Sequence, residues 1–491
     1  MAGGEHTMLD RPNIILINVD QWRADCLSVA GHPVVHTPYL DQLALDGVRF
    51  NRAYSATPTC IPARAALYTG QSQRTHGRVG YQDGVAWNYP VTIAGEFTRH
   101  DYQTQAIGKL HVYPERSQIG FQHVVLHDGF LHFSRTRARN YDLVDDYLPW
   151  LRQQLGRDAD YFDHGLNCNS VVARPWDKPE HLHPTNFVVT QAIDFLRRRD
   201  PRKPFFLFMS FHRPHPPYDP PAWAFEQYVD QPMPDPPVGD WVDLFAEHAS
   251  ARRPDSYAGT IDRRVLQRAR AGYYGHMTHI DHQINRFMEV LHEFRLRSNS
   301  YVCFVSDHGE MMGDHHLFRK GFPYEGSARV PLLLKGPDGS GIRSGTTSDR
   351  VVELRDVMPS LLDCAGLPIP ETVEGRSFLP FARSQDQPWR SHLHGEHTLF
   401  GQSLQWITDG HIKYVWHSGT GVEQLFDLDA DPQECHDLAR DPDAGTCLQH
   451  WRRVLAGELA GREEGFSDGE QLIPGRPVSP CLAHLRSTEQ G

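Results

Sequence analysis

Apolar and polar positions along this chain fall into blocks. Asn13-Ile14-Ile15-Leu16-Ile17-Asn18-Val19 is nearly continuous apolar and rich in β-branched residues, the pattern of a strand buried on both faces of a parallel sheet. Short runs of the same kind recur at Tyr102 to Ile107, Phe205 to Ser210, Tyr301 to Val305 and Val330 to Leu334. Between them lie amphipathic stretches at Tyr39 to Leu45, Thr185 to Arg198 and Arg263 to Phe294, and a further helix over Glu353 to Ala365 is ended by Gly366 and Pro368. This alternation predicts an α/β fold: a large domain with a central, mostly parallel sheet between helices. Beyond about Pro380 the pattern changes to short runs at Leu404 to Thr408, Ile412 to Trp416 and Gln424 to Leu428, which predict a smaller domain with an antiparallel sheet and a terminal helix over Cys447 to Leu459. The expected units are a catalytic α/β domain over 1–380, a sheet subdomain over 381–465 and a C-terminal arm over 466–491. Pro214 to Pro236 reads as an ordered loop, and Asp240 to Asp255 as a surface insertion.

Charge and composition narrow the partners. With 49 Lys+Arg against 61 Asp+Glu, the net charge is -12, which argues against nucleic acid or an anionic membrane surface. The opening MAGGEHTMLDRPN has no apolar h-region, and no run approaches the roughly 20 apolar residues of a membrane span, so the expectation is a soluble, cytoplasmic protein. The 8 cysteines show no C-x-x-C spacing, against a zinc site or a disulfide framework.

Polar clusters follow four of the buried strands: Asp20; Gly108-Lys109-Leu110-His111; Phe211-His212-Arg213-Pro214-His215; and Ser306-Asp307-His308-Gly309. Ligands of open parallel sheets bind at the carboxyl ends of the strands. Any one of these residues alone reads as a turn, cap or packing residue, but four segments deliver carboxylates, histidines and a lysine to one edge. Asp20, Asp307 and His308 offer ligands for one divalent cation. Lys109 and Lys320 can neutralise the oxygens of a transferred sulfate or phosphate, although Lys320, beside Arg319, also reads as a surface lysine. His111 and His215 are candidates for proton transfer. Cys60, ahead of Pro62 and the helix formers Ala63 to Thr69, falls at a helix N-terminus, where anions are favoured.

Cys60-Ile61-Pro62-Ala63-Arg64 resembles the C-x-P-x-R signature of type I sulfatases. Together with DQWRAD, GKLH, HRPHPPY, SDHGEMMGDHHLFRK and the late KYVW and EQLFDLDADPQE segments, it identifies the chain as similar to the sulfatase branch of the alkaline phosphatase superfamily. That resemblance implies an alkaline phosphatase-like large domain and a smaller C-terminal sheet domain. It implies that Cys60 is the precursor of formylglycine, made by a formylglycine-generating maturation enzyme, and that Arg64 holds the modified residue. Asp20, Asp307, His308 and the modified Cys60 would bind one divalent metal, Ca2+ or alternatively Mn2+. Lys109 and Lys320 would grip the sulfate, His215 with Lys320 would assist the leaving oxygen, and His111 would take a proton in the release of sulfate.

The pairs Asp20-Gln21 and Asp307-His308 depart from the more frequent Asp-Asp and Asp-Asn, and resemble choline sulfatases and phosphonate monoester hydrolases. Gln21 is read as orienting its neighbours more than as a ligand. The leading expectation is an arylsulfatase-like hydrolase of small-molecule or saccharide sulfate esters. Alternatives are a phosphonate monoester or phosphodiester hydrolase using the same site, and an unmatured anion-binding protein. Trp87, Trp176 and Trp223 are candidates for stacking on a substrate ring. The arm, with Pro474, Pro477 and Pro480 among Leu472, Ile473, Val478 and Leu482, is expected to pack on a neighbouring subunit of a homo-oligomer and narrow its active-site mouth.

Overall fold

A computed structural model describes residues 11–129, 143–250 and 253–486. The first ten residues of the N-terminal reading and the last five of the expected arm lie outside them. The large domain holds β1 (Asn13–Asp20), β2 (Val48–Phe50), β3 (Ala53–Tyr54), β4 (Gln103–Gly108), β5 (His123–Leu126), β6 (Phe205–Pro214), β7 (Ser300–Ser306), β8 (Leu332–Lys335), β9 (Thr346–Ser348) and β10 (Val352–Glu353). Eight of these form one sheet in the order β5-β4-β6-β1-β7-β8-β2-β9, and β3 pairs with β10.

The continuous apolar runs are explained by what covers each face. Ile14 and Leu16 of β1 and Phe206 and Phe208 of β6 point into one core, shared with the helices Cys60–Thr69 and Val357–Cys364. Ile15, Ile17, Leu207 and Met209 point into the other, under Pro184–Arg198 and Arg263–Glu293. Every side chain of these strands therefore leaves water, which stabilises the sheet by about 1.5–3 kcal/mol for each large apolar residue. β1 lies parallel to both β6 and β7, and β4 parallel to β5 and β6. The run at Val330 to Leu334 enters as β8, antiparallel to β7, which leaves the sheet mixed and mostly parallel.

The C-terminal sheet is an antiparallel meander of β11 (Leu393–Leu399), β12 (Gln402–Thr408), β13 (Ile412–His417) and β14 (Glu423–Asp427). The helix Gly445–Glu458 covers one face through Trp451 and Leu455. The opposite face, with Trp406 and Phe426, packs on Trp241, Phe245 and Tyr324. The segment read as a surface insertion thus carries a buried aromatic pair, because the sheet needs an apolar cover on its second face.

The arm is described as far as Arg486. Its residues dock on their own chain: Val79 donates to Pro480 O at 2.9 Å, Leu482 donates to Gly77 O at 2.8 Å, and Gly475 donates to Ser418 O at 2.8 Å. Cys481 and Leu482 are buried there, while Leu472, Ile473 and Val478 are only partly buried.

Candidate functional site

Because β1, β4, β6 and β7 run the same way, their carboxyl ends meet at one edge. β1 delivers Asp20, β4 leads into Lys109, β6 into His215 and β7 into Asp307. Gly108 has φ +96, and a Cβ there would lie 1.9 Å from Ser210 O; only glycine lets β4 turn this close to β6. Asp307 donates its N–H to Val19 O and His215 donates to Asp20 O at 3.1 Å, so the loops are tied to one another at the bottom of the site.

Asp20, Cys60, Asp307 and His308 place one ligand atom each within 4.8 Å of one another, and all four residues are buried. His308 Nε2 is 3.2 Å from Cys60 Sγ, 3.4 Å from Asp20 Oδ1 and 3.7 Å from Asp307 Oδ1. Such spacings are those of neighbouring ligands around one cation with bonds of roughly 2.1–2.6 Å. His308 Nδ1 donates to Gly309 O at 2.9 Å, which turns Nε2, the acceptor nitrogen, towards the carboxylates. Burial lowers the His308 pKa and keeps it neutral, as a ligand must be. Two carboxylates, a neutral imidazole and the side chain at position 60 fit a divalent cation.

Around this centre the charges are compensated. Arg64, fully buried on the third position after Ile61, donates from Nε to Asp307 Oδ2 at 3.0 Å and from Nη1 to Lys109 O at 2.7 Å and Ser210 Oγ at 3.0 Å. Burial opposes its charge, yet Asp307 holds the guanidinium protonated. Its Nη2, buried and without a hydrogen-bond partner among the described residues, is 4.0 Å from Asp20. Lys109 contacts Asp20 directly; burial works to raise the Asp20 pKa, but Lys109 and then His215 and His308 hold it well below the usual carboxylate range. Lys320 donates to Gln21 Oε1, and Gln21 Nε2 donates to Glu310. In this arrangement the Gln21 amide orients Lys320.

His215 Nδ1 donates to Pro216 O at 2.8 Å, so Nε2 is its acceptor nitrogen. Burial and then Lys320 push its pKa well below 6.5. His111 is lowered by burial and Lys109, but its hydrogen bonds to Asp83 and Cys60 outweigh them and raise it. The strand-end motifs, the Cys60–Thr69 helix and the loop carrying Lys320 thus bring Asp20, Cys60, Arg64, Lys109, His111, His215, Asp307, His308 and Lys320 into one site. Glu310, Asp83 and Ser210 belong to it too; of these only Glu310 lies inside a motif that stood out in the sequence.

Two of the three tryptophans, Trp87 and Trp176, are buried in packing contacts, and Trp223 is 38% exposed. Trp87 lies over Arg78 and against Tyr68, Trp176 against His183, and Trp223, partly exposed, donates to Glu180. A second group of potential ligands, His183, Asp219 and His276, is also buried. Both Asp219 oxygens are already taken, Oδ1 by Arg213 and Oδ2 by Arg213 and His164, so Asp219 is the centre of a hydrogen-bonded hub.

The comparisons with known proteins agree with this geometry. The sulfatase family model matches residues 12–367, and the N-sulphoglucosamine sulphohydrolase C-terminal model matches residues 313–458. An arylsulfatase of Clostridium perfringens (strain 13 / Type A) is 49% identical over 482 residues, covering 97% of this chain and 100% of that protein. The multifunctional alkaline phosphatase superfamily protein PehA of Trinickia caryophylli is 30% identical, covering 98% and 99%. Among solved structures, the phosphonate monoester hydrolase of Agrobacterium radiobacter superposes with a TM-score of 0.75 at 26% identity, covering 91% of this chain and 95% of that one. With a family match over most of its length and a relative nearly half identical from end to end, the chain belongs to the sulfatase family.

Proposed function

We propose that this protein is an arylsulfatase-type sulfuric ester hydrolase that releases inorganic sulfate and an alcohol or phenol. The observation that carries the reading is the buried Asp20, Cys60, Asp307 and His308 cluster at the N-terminus of the Cys60–Thr69 helix, ringed by Arg64, Lys109 and Lys320. Formylglycine at position 60, installed by a maturation enzyme and hydrated, would supply the nucleophile, and a divalent cation, Ca2+ or Mn2+, held by Asp20, Asp307, His308 and that residue, would supply Lewis acidity. Lys109 and Lys320 bind the non-bridging oxygens and neutralise charge that persists throughout the transfer. As the bond from sulfur to the ester oxygen breaks, that oxygen needs a proton. With His215 neutral and its proton held by Pro216 O, the ammonium of Lys320 donates it, and His215 Nε2 orients the leaving oxygen's new hydroxyl. His111 accepts a proton on the position-60 side when sulfate is released. Arg64 keeps that side chain and Asp307 in register.

A phosphonate monoester or phosphodiester activity is the second reading, favoured by the imidazole in the donor set and the likeness to the phosphonate monoester hydrolase. Phosphodiesters carry one negative charge, as sulfate monoesters do, so the same lysines serve both. Matured protein assayed on p-nitrophenyl sulfate, a sulfated sugar and a phenyl phosphonate ester decides between them: the expected order places the aryl sulfate first. Chelation should abolish turnover, with elemental analysis showing one divalent ion per chain. A higher kcat/KM for the phosphonate ester would reverse the assignment.

A further inference from the structure

Tyr81 and Asp83 stand beside the proton-accepting histidine on a loop that no motif marks. Asp83 Oδ1 is 3.5 Å from His111 Nε2, and Tyr81 Oη donates to Asp83 Oδ2 at 3.0 Å. The Tyr81 ring lies 6.0 Å from the His111 ring, inclined by 60°, and 39% of it is exposed, whereas His111 is buried. The loop is held stiff. Buried Arg78 donates to Val85 O and Ala86 O at 3.0 Å each, its guanidinium lies 4.5 Å over the Trp87 ring, and Trp87 donates its backbone N–H to Tyr113 O. A rigid, half-exposed aromatic ring at the edge of a polar anion site is a surface for the apolar half of a substrate. Lys109 and Lys320 hold the sulfate below, and the organic group of the ester must leave in the direction of the opening.

We propose that the Tyr81 ring receives the aromatic group of an aryl sulfate and that Asp83, holding both the Tyr81 hydroxyl and His111, is a positioning residue for His111. This rests on the sulfate-ester reading above. It assigns substrate preference to the Tyr81–Asp83 loop and to none of the tryptophans.

The test separates the two claims. Protein retaining unmodified Cys60 is titrated by calorimetry with p-nitrophenyl sulfate and with ethyl sulfate. Tyr81→Ala should weaken the aryl ester about tenfold and ethyl sulfate less than twofold, while Tyr81→Phe, which keeps the ring, should stay within about threefold of the parent for both. Equal losses for the two esters, or none, overturn the role of Tyr81. A parent that binds neither ester overturns the sulfate-ester reading itself, and this proposal with it. For Asp83, matured Asp83→Ala should lose about tenfold or more in kcat with KM within twofold, and Asp83→Asn should recover part of it. The His111 ring signals in 15N-histidine spectra should move in Asp83→Ala. A folded Asp83→Ala variant with unmoved His111 signals would overturn the positioning role.

Discussion

At the scale of single residues, the leaving oxygen is where the site's charges are most unequal. Lys320 arrives as an ammonium oriented by the Gln21 amide, while His215 is neutral with its proton on the far nitrogen. Lys320→Ala should therefore slow alkyl sulfates at least tenfold more than p-nitrophenyl sulfate, whose leaving group departs with little acid assistance. His215→Ala should show the same trend more weakly. Steady-state kinetics across leaving groups of graded pKa checks this, and a steeper dependence in His215→Ala than in Lys320→Ala would exchange their roles. Most of these residues were legible in the sequence, since each directly follows a buried strand or lies in a C-x-P-x-R helix. Asp83 was not, because it belongs to a loop whose only signal is the company it keeps in space. Gln21 was legible as a departure from a pattern, but its pairing with Glu310 and Lys320 came only with the fold.

Among the elements, the loop after β6 is bound to two helices through histidines. His183 caps Pro184–Arg198 by accepting from Thr185 N–H, His276 and His279 come from Arg263–Glu293, and the Asp219 N–H donates to His276 Nε2 at 3.0 Å. Burial lowers the pKa of all three, that of His183 and His279 well below 6.5, and outweighs the opposing pull of Asp219 on His276. They stay neutral in the fold but bind protons in the unfolded chain below about pH 6.5. Their contribution to stability is thus present above that pH and is lost as the pH falls towards their folded values, by about 1.4 kcal/mol per histidine per pH unit. Urea midpoints should drop steeply between pH 6.5 and 5, and His279→Leu should flatten the curve. An unchanged slope in that variant would remove the cluster from the explanation. At this scale the central parallel strands β1, β6 and β7 were readable, because both faces are covered and their apolar runs are nearly unbroken, whereas β5, parallel to β4 at the sheet edge and partly exposed, was not. β11 was not: its Leu393–Leu399 sequence is LHGEHTL, in which Glu396, buried at 0% exposure, is matched by Arg462 at 2.6 Å from far along the chain.

For the whole molecule, the arm ties the C-terminus to the active-site edge. Arg78 and Cys481 form an antiparallel bridge, Thr398 donates its hydroxyl to Ser479 O, and residues 77–80 lead directly into Tyr81 and Asp83. Truncation after Val478 should cost about 1–3 kcal/mol of stability and lower kcat/KM severalfold. Metal content and the mass in solution should stay as they are in the full chain. Light scattering showing a smaller assembly would instead show that the arm bridges subunits.

Cys60 is only 1% exposed, and all ten residues of its helix are buried. A second enzyme that has to enclose this thiol finds no way to it in the finished fold. On the proposed function, in which Cys60 becomes formylglycine, conversion must precede closure, while the chain is still being made. The groups that shut over it, Asp307, His308 and Lys320, leave the ribosome much later than Cys60, at elongation speeds a delay of roughly tens of seconds. Maturation enzyme added to purified, folded protein should leave the thiol intact by mass spectrometry, whereas the same enzyme present during synthesis should convert it. The order of residues along the chain thereby acts as a clock, giving the nucleophile time to be made before the pocket that uses it exists.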